Sequence, residues 1–465
     1  MNDSPATLMR EHAAARRPTT RAAIVARARA HLAEPLLRSA YSMAASSVVT
    51  AGFGMVFWIV AARFYPSAAV GRDIALIAAM VQLSTLAQVN MANALIRFLP
   101  GSARPQRMVV GAYAISGAVA TVLATAFVLV APRVSDDFAF LTHEPLTAVA
   151  YVASVVGWGV LALQDAALTA TRRAPWVLFK NGLFGALKLL VLPLLFVLGS
   201  AHGPFIAWVI PMFALIVPVH VLLRRSMAGD ELVAAHASPA RSSGRPRLVR
   251  FLALDYLATV FTQTSLTILP LILIGILGSR ATAHFYIPFT IALAFEVMFW
   301  SMTTSLVAEG ALTPQRVPEL VRLLVRRVAM IIGPVIAILV AAAPLVMLPF
   351  GEEYVRASTN VLRLLLCASL FRAAMLLAAA IWRLEGHGGR IAALEGFMLA
   401  GLLAAAIPLA HALGVIGVAL AWLGSAVAIG CAVLPLLRRY MRSPPSAAPP
   451  PPAVGKRADD AGPRR

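Results

Sequence analysis

The stretch M-V-V-G-A-Y-A-I-S-G-A-V-A-T-V-L-A-T-A-F-V-L-V-A, from Met108 to Ala131, carries no charged side chain; Arg104 and Arg107 precede it and Arg133, Asp136 and Asp137 follow it. A hydrocarbon core about 30 Å thick is crossed by about 20 helical residues at 1.5 Å rise each, so this block reads as a transmembrane helix. It is one of a series. Similar blocks occupy 40–62, 74–98, 146–170, 176–199, 204–223, 251–278, 283–308, 323–350, 355–382, 391–413 and 415–437. The closest pair is the last, where Gly414 and its neighbours make the only turn. The composition agrees. The 465 residues are 60% hydrophobic and 13% charged, too few charges to cover the surface of soluble domains of that length. The expected fold is an all-α integral membrane protein of about twelve helices.

An even number of spans puts both termini on one side, and the positive-inside rule assigns that side to the cytoplasm. Most of the 40 Lys and Arg fall there, including Arg16, Arg17, Arg104, Arg107, Arg172, Arg173, Arg224, Arg225, Arg316, Arg326, Arg327, Arg438 and Arg439. The other side keeps Arg63, Arg72, Arg133, Arg280 and Arg356 beside the acidic loops with Asp136, Asp137, Glu144, Glu352 and Glu353. The net charge of +20 therefore reads as topology and contact with anionic phospholipid, not as nucleic-acid binding. The chain divides into a basic leader (1–38), a six-helix bundle (39–225), an Arg-rich linker (226–250), a second six-helix bundle (251–440) and a Pro/Ala-rich tail (441–465) expected to be disordered. The first apolar run is too long for the apolar region of a signal peptide.

The bundles look duplicated. Gly203, Ala207 and Trp208 in G-P-F-I-A-W match Gly417, Ala421 and Trp422 in G-V-A-L-A-W at an offset of 214, and Leu222-Leu223-Arg224-Arg225 falls on Leu436-Leu437-Arg438-Arg439. Halves of six helices enter the membrane in the same direction, so they form a parallel repeat of the kind found in secondary transporters.

Ionisable residues inside the spans each cost about 2.5–3.5 kcal/mol on insertion scales and need a reason. Lys188, Glu296 and Arg372 lie near mid-depth, and Arg363 lies in the outer half of the tenth helix, on the face opposite Arg372. Two readings are open. In one, these residues form an ion network that only fixes packing. In the other, Lys188, Arg372 and Arg363 are cavity cations for an anionic headgroup, and Glu296 balances or gates them. Asp165 and Lys180, on consecutive helices near the cytoplasmic boundary, read as a structural ion pair. Glu395 sits close enough to a helix end to reach the headgroups. Gln82, Gln88, Asn90 and Gln263 are expected to line a hydrated or packed interior face, because amides are costly against lipid. Pro193, Pro211, Pro270, Pro288, Pro334 and Pro408 should kink or loosen their helices. No phosphate loop, metal-ligand spacing or nucleophile elbow is present, and the external loops are too short to hold chemistry, so no enzyme is expected.

Three stretches resemble the bacterial polysaccharide transporters (Wzx-type flippases) of the multidrug/oligosaccharidyl-lipid/polysaccharide exporter (MOP) superfamily. They are W-I-V-A-A-R-F-Y-P-S-A-A-V-G-R from Trp58, with A-L-I-R-F-L-P from Ala94; Q-D-A-A-L-T-A-T-R-R-A-P-W-V-L-F-K-N from Gln164; and S-L-V-A-E-G-A from Ser305. The resemblance implies a MATE-like fold and movement of an undecaprenyl-pyrophosphate-linked oligosaccharide across a bacterial cytoplasmic membrane. It also implies alternating access for cell-surface polysaccharide (O-antigen) synthesis, with polysaccharide-assembly enzymes as further partners. It calls for no cofactor and leaves room for a coupling ion, H+ or Na+. A drug or metabolite/cation antiporter of the same fold is the alternative. The lipid II flippases in this superfamily carry arginines in the first helix, where this chain has Ser42, Ser46, Ser47 and Thr50.

The topology is testable with an impermeant thiol reagent on intact cells, in a background without Cys367 and Cys431. Asp136→Cys should label and Asp230→Cys should not; the reverse pattern would invert the orientation.

Overall fold

In lipid, a backbone that satisfies its own hydrogen bonds is a helix, and every predicted block is helical. The computed structural model describes residues 35–171, 173–228 and 245–442. Most of the leader and linker, and nearly all of the tail, lie outside these residues. Among the described residues nine helices are long and apolar enough to cross a membrane; two of them hold two spans each, and the first helix adds a shorter apolar stretch, Thr50–Phe64. Twelve segments result. α1 is Pro35–Phe64, α2 Ser67–Ala87 followed by a short helix Met91–Phe98, α3 Pro105–Val134, α4 Pro145–Ala170, α5 Ala174–Val197 and α6 Gly203–Ala228. The run Arg245–Leu312 divides at Gly278 into α7 (245–277) and α8 (279–312). α9 begins at Val317–Arg327, passes a π turn Val328–Ile332 and continues as Gly333–Ala341. α10 is Glu352–Leu384, and Gly388–Arg442 divides at Gly414 into α11 (388–413) and α12 (415–442).

The two single-residue turns need glycine. Gly278 and Gly414 have φ of 82° and 61°, where a side chain would strain the backbone. The expected turn at Gly414 is therefore confirmed as one residue. Just beyond it α12 lies so close to α11 that a Cβ on Gly417 would come within 1.9 Å of the Leu409 carbonyl oxygen.

Two helices depart from expectation. The second span was expected to run unbroken over 74–98. It starts earlier, at Ser67, and breaks at Val89 and Asn90, both at positive φ (43° and 64°). Asparagine tolerates that conformation, and the Asn93 amide donates to Asn90 Oδ1 at 2.8 Å, so part of the polar cluster builds a turn. In α9, Pro334 has no N–H for the carbonyl of Met330, and the ladder slips into the π turn just before it.

The repeat is visible in the helix ends. α4 and α10 end at Ala170 and Leu384, and α5 and α11 begin at Ala174 and Gly388, both at the offset of 214. In each half the repeated tryptophan is a core anchor. Trp208 packs on Phe57, Trp158 and Phe184, and Trp422 on Phe289.

The halves meet along α2, which lies against α7 and α8. On the face opposite the Arg-rich loops, Ser67 donates to Glu353 Oε1 (2.7 Å), which also lies 3.1 Å from His284 Nε2 and 3.6 Å from Arg280 Nε. Arg63 donates to the carbonyls of Pro349 (2.6 Å) and Leu348 (2.8 Å), and the backbone N–H of Ser279 donates to Asp137 Oδ2 (3.2 Å). Glu353 and Asp137, two acidic residues of this face, thus tie the halves together. Deeper in, Trp58 packs edge-on against Tyr286, and toward the basic face the Tyr256 hydroxyl donates to the Leu86 carbonyl (3.1 Å).

α2 approaches α8 so closely that a Cβ on Gly71 would sit 1.7 Å from the Ser279 carbonyl oxygen. Backbone on both sides cannot yield, so Gly71→Ala should cost about 1–3 kcal/mol of stability. Thermal unfolding in detergent should show a clear drop for Gly71→Ala and none for Gly111→Ala, where the added methyl meets open space.

Candidate functional site

A guanidinium without water needs acceptors that match its fork. Arg372, on the buried stripe of α10, is 1% exposed and holds Glu296 of α8 in a bidentate pair, Nε to Oε1 and Nη2 to Oε2, both 3.0 Å. Nη1 donates to Met375 Sδ at 3.2 Å, and the guanidinium lies 5.3 Å from the centre of the Trp422 ring. Glu395 of α11 joins this cluster. Expected among the headgroups, it is instead 3% exposed, interacts with Arg372 and Thr262, and keeps one carboxylate oxygen without a partner. Two carboxylates therefore surround one guanidinium inside the second half.

The first half is built differently. The Asp165–Lys180 pair forms at 2.7 Å, and Lys180 also donates to the Leu161 carbonyl at 3.1 Å. Two turns along α5, Lys188 is just as buried, at 4%. Its ammonium lies over three rings, 4.6 Å from Trp208, 4.9 Å from Phe57 and 5.6 Å from Phe184. Among the described residues no carboxylate or hydrogen-bond acceptor reaches it. Beside it the Trp208 Nε1–H is buried without an acceptor.

The other expected residues scatter. Arg363 does not join Arg372; it donates to the Val340 carbonyl (3.2 Å), left open where α9 breaks at Ala342, and to Asn360 (3.0 Å). Gln82 does not line open space. Its amide donates to Thr264 (2.7 Å) and its oxygen accepts from Thr267, so both ends are tied to α7 across the halves. Gln88 caps the end of α2, Asn90 forms the left-handed turn, and the Gln263 carbonyl accepts from Thr267 (2.8 Å). The expected cations thus sit in separate bundle interiors, Lys188 in the first and Arg372 in the second.

Sequence reading passed over Asp73. It is fully buried, 2.9 Å from His202 Nδ1, and accepts from the Phe205 N–H (3.1 Å), so a carboxylate on α2 caps the start of α6. The signal was the H-G-P at 202–204, a helix start with no capping side chain of its own. A Cβ on Gly203 would collide with the Tyr65 hydroxyl at 1.9 Å.

Removing one member of a buried pair leaves an uncompensated charge, a loss of about 3–5 kcal/mol. Arg372→Leu should therefore lower the melting temperature sharply, and the double change Arg372→Leu/Glu296→Gln should recover a large part of it. A double variant no more stable than the single one would deny that the pair is coupled.

No protein-family model and no curated protein matches the sequence. Solved structures do match in fold. An inward-facing multidrug resistance MATE family transporter of the MOP superfamily superposes with a TM-score of 0.61 at 16% identity, over 86% of this chain and 98% of that one. The MATE multidrug transporter DinF-BH, in a ligand complex, gives 0.62 at 15% identity, over 86% and 95%. A MATE structure in complex with MaL6 gives 0.60 at 15% identity, over 88% and 96%. The described residues are helical throughout their core, and the protein is a multi-pass membrane protein with a MATE-like fold.

Proposed function

We propose that the protein is a flippase that carries a lipid-linked, undecaprenyl-pyrophosphate-type oligosaccharide from the inner to the outer leaflet of a bacterial cytoplasmic membrane, by alternating access of its two halves. The carrying observation is Lys188, a buried ammonium with no counter-anion among the described residues. An anionic diphosphate headgroup supplies what that site lacks, whereas a cationic drug would be repelled from it. The basic face is cytoplasmic, by the distribution of arginines. The halves are tied together at the opposite, outer face, which fits a state loaded from the inside. No covalent step is involved. Arg372 and Glu296 hold each other in the arrangement described, and a diphosphate reaching Arg372 would have to displace Glu296.

A drug or metabolite/cation antiporter has its own support: the cluster of Glu296, Glu395 and Arg372 has one carboxylate in excess, and the superposed structures are multidrug transporters.

A deletion strain separates the two. Flippase function predicts lipid-linked oligosaccharide accumulating in the inner leaflet with unchanged sensitivity to cationic drugs. Drug hypersensitivity with normal surface glycan would favour the antiporter.

A further inference from the structure

On the face opposite the Arg-rich loops, the ends of α2, α3 and α7 enclose a cleft of about 570 Å³, within the ~300–1,000 Å³ range of ligand sites. Arg72 and Arg133 line it with Asp136 and Asp137, and Gly275 of α7 brings in the second half. The Arg72 Nε–H is buried without an acceptor. Arg133 spends one N–H on the Leu129 carbonyl, and Asp137 is held by the Ser279 N–H, which leaves Asp136 as the exposed carboxylate. The cleft therefore offers two guanidiniums and a carboxylate side by side, the complement of a phosphate joined to an amine. Its depth fits that chemistry. Arg72 stands five residues, about 8 Å, from the start of α2, and Arg133 is in the last turn of α3, so both lie at the level of lipid headgroups. From there α3 continues as the wall of an apolar groove of about 610 Å³ shared with α4 and α6, to which it contributes Thr121, Thr125, Val128 and Leu129. Pro132 and Arg133 are the next positions of the same helical stripe. The stripe runs about 18 Å from Arg133 to Thr121, close to the ~15 Å depth of one leaflet. Inside a bilayer such a groove is filled by hydrocarbon, and the cleft selects the headgroup attached to it. A headgroup without an amine would leave Asp136 facing another anion. A trimethylated amine has no N–H to donate. A primary ammonium donates to Asp136 while its phosphate accepts from Arg72 and Arg133.

We propose that cleft and groove together bind one membrane phospholipid of the phosphoethanolamine type, with its phosphate on Arg72 and Arg133, its ammonium on Asp136 and an acyl chain along α3. The site lies apart from Lys188 and Arg372 and does not depend on what the protein transports. Because α7 forms part of the wall, the bound lipid bridges the two halves beside the Ser279–Asp137 tie.

Thermal unfolding of the purified full-length protein in detergent, titrated with dioctanoyl phospholipids, tests this. The ethanolamine lipid should raise Tm saturably, with an apparent affinity at least about fivefold above that of the choline and glycerol lipids. Asp136→Asn should bring the ethanolamine and choline lipids within about twofold of each other, and Arg133→Gln should weaken the ethanolamine lipid by about tenfold. Both residues are exposed, so without added lipid these variants should melt as wild type does. Thr125→Phe, on the exposed wall of the groove, should weaken the lipid and leave the shift caused by free phosphoethanolamine unchanged. Equal affinity for the three headgroups, or a preference that survives Asp136→Asn, overturns the proposal. So does a full shift with inorganic phosphate alone, which would make the cleft a plain anion site, and so does undiminished lipid binding by Thr125→Phe. Displacement of the ethanolamine lipid by a tighter-binding short-chain polyprenyl diphosphate would assign the cleft to the cargo and overturn it as well.

Discussion

A charge enclosed by helices in a membrane has to be neutralised where it stands, because no water can reach in to share it. Much of the interior follows from that constraint. Asp165 locks α4 to α5 through Lys180, and Glu296 locks α8 to α10 through Arg372. Each such lock fixes the rotation of two helices about their own axes, something apolar packing alone specifies poorly when lipid is as apolar as the core. Lys188 escapes the rule within the described residues. The duplicated tryptophans make the asymmetry plain, for Trp422 backs a cation that has a carboxylate and Trp208 backs one that has none.

The interface between the halves obeys a different logic. At the face opposite the Arg-rich loops its bonds are short, polar and shared among many groups, with Glu353 accepting from Ser67 while half exposed to solvent. Exposed pairs of this kind contribute little each. A seal made of several weak ties can be opened and remade, whereas a bidentate buried pair such as Arg372–Glu296 opens only against a large penalty. The buried ion pairs thus lie inside the bundles, while the charged ties between the halves are exposed.

Much of the fold was legible in the chain itself, because twelve apolar blocks, the arginine asymmetry and the phased Trp and Leu-Leu-Arg-Arg corners all report on one constraint, the thickness of the bilayer. The site was less legible. Depth along a helix can be counted, and it singled out Lys188, Glu296 and Arg372 and paired Asp165 with Lys180. Direction around a helix axis depends on neighbours, so counting could not tell that Arg363 would serve a broken helix end, that Gln82 would be consumed by two threonines, or that Glu395 would turn inward to Arg372. Breaks were missed where their signal was weak. Val89 is a poor candidate for a left-handed residue, and only Asn90 beside it hinted at the turn.

That turn divides the allegiance of α2. Above it, 67–87 lies chiefly against α7 and α8 of the other half; below it, Met91–Phe98 packs on α4 of its own, with Leu95 and Leu99 in a core shared with Val109, Leu163 and Ala167. The 67–87 part of α2 thus belongs to both halves, held to its own by Asp73 and to the other by Gln82, and the break at Val89 and Asn90 lets the two parts of one segment follow different neighbours.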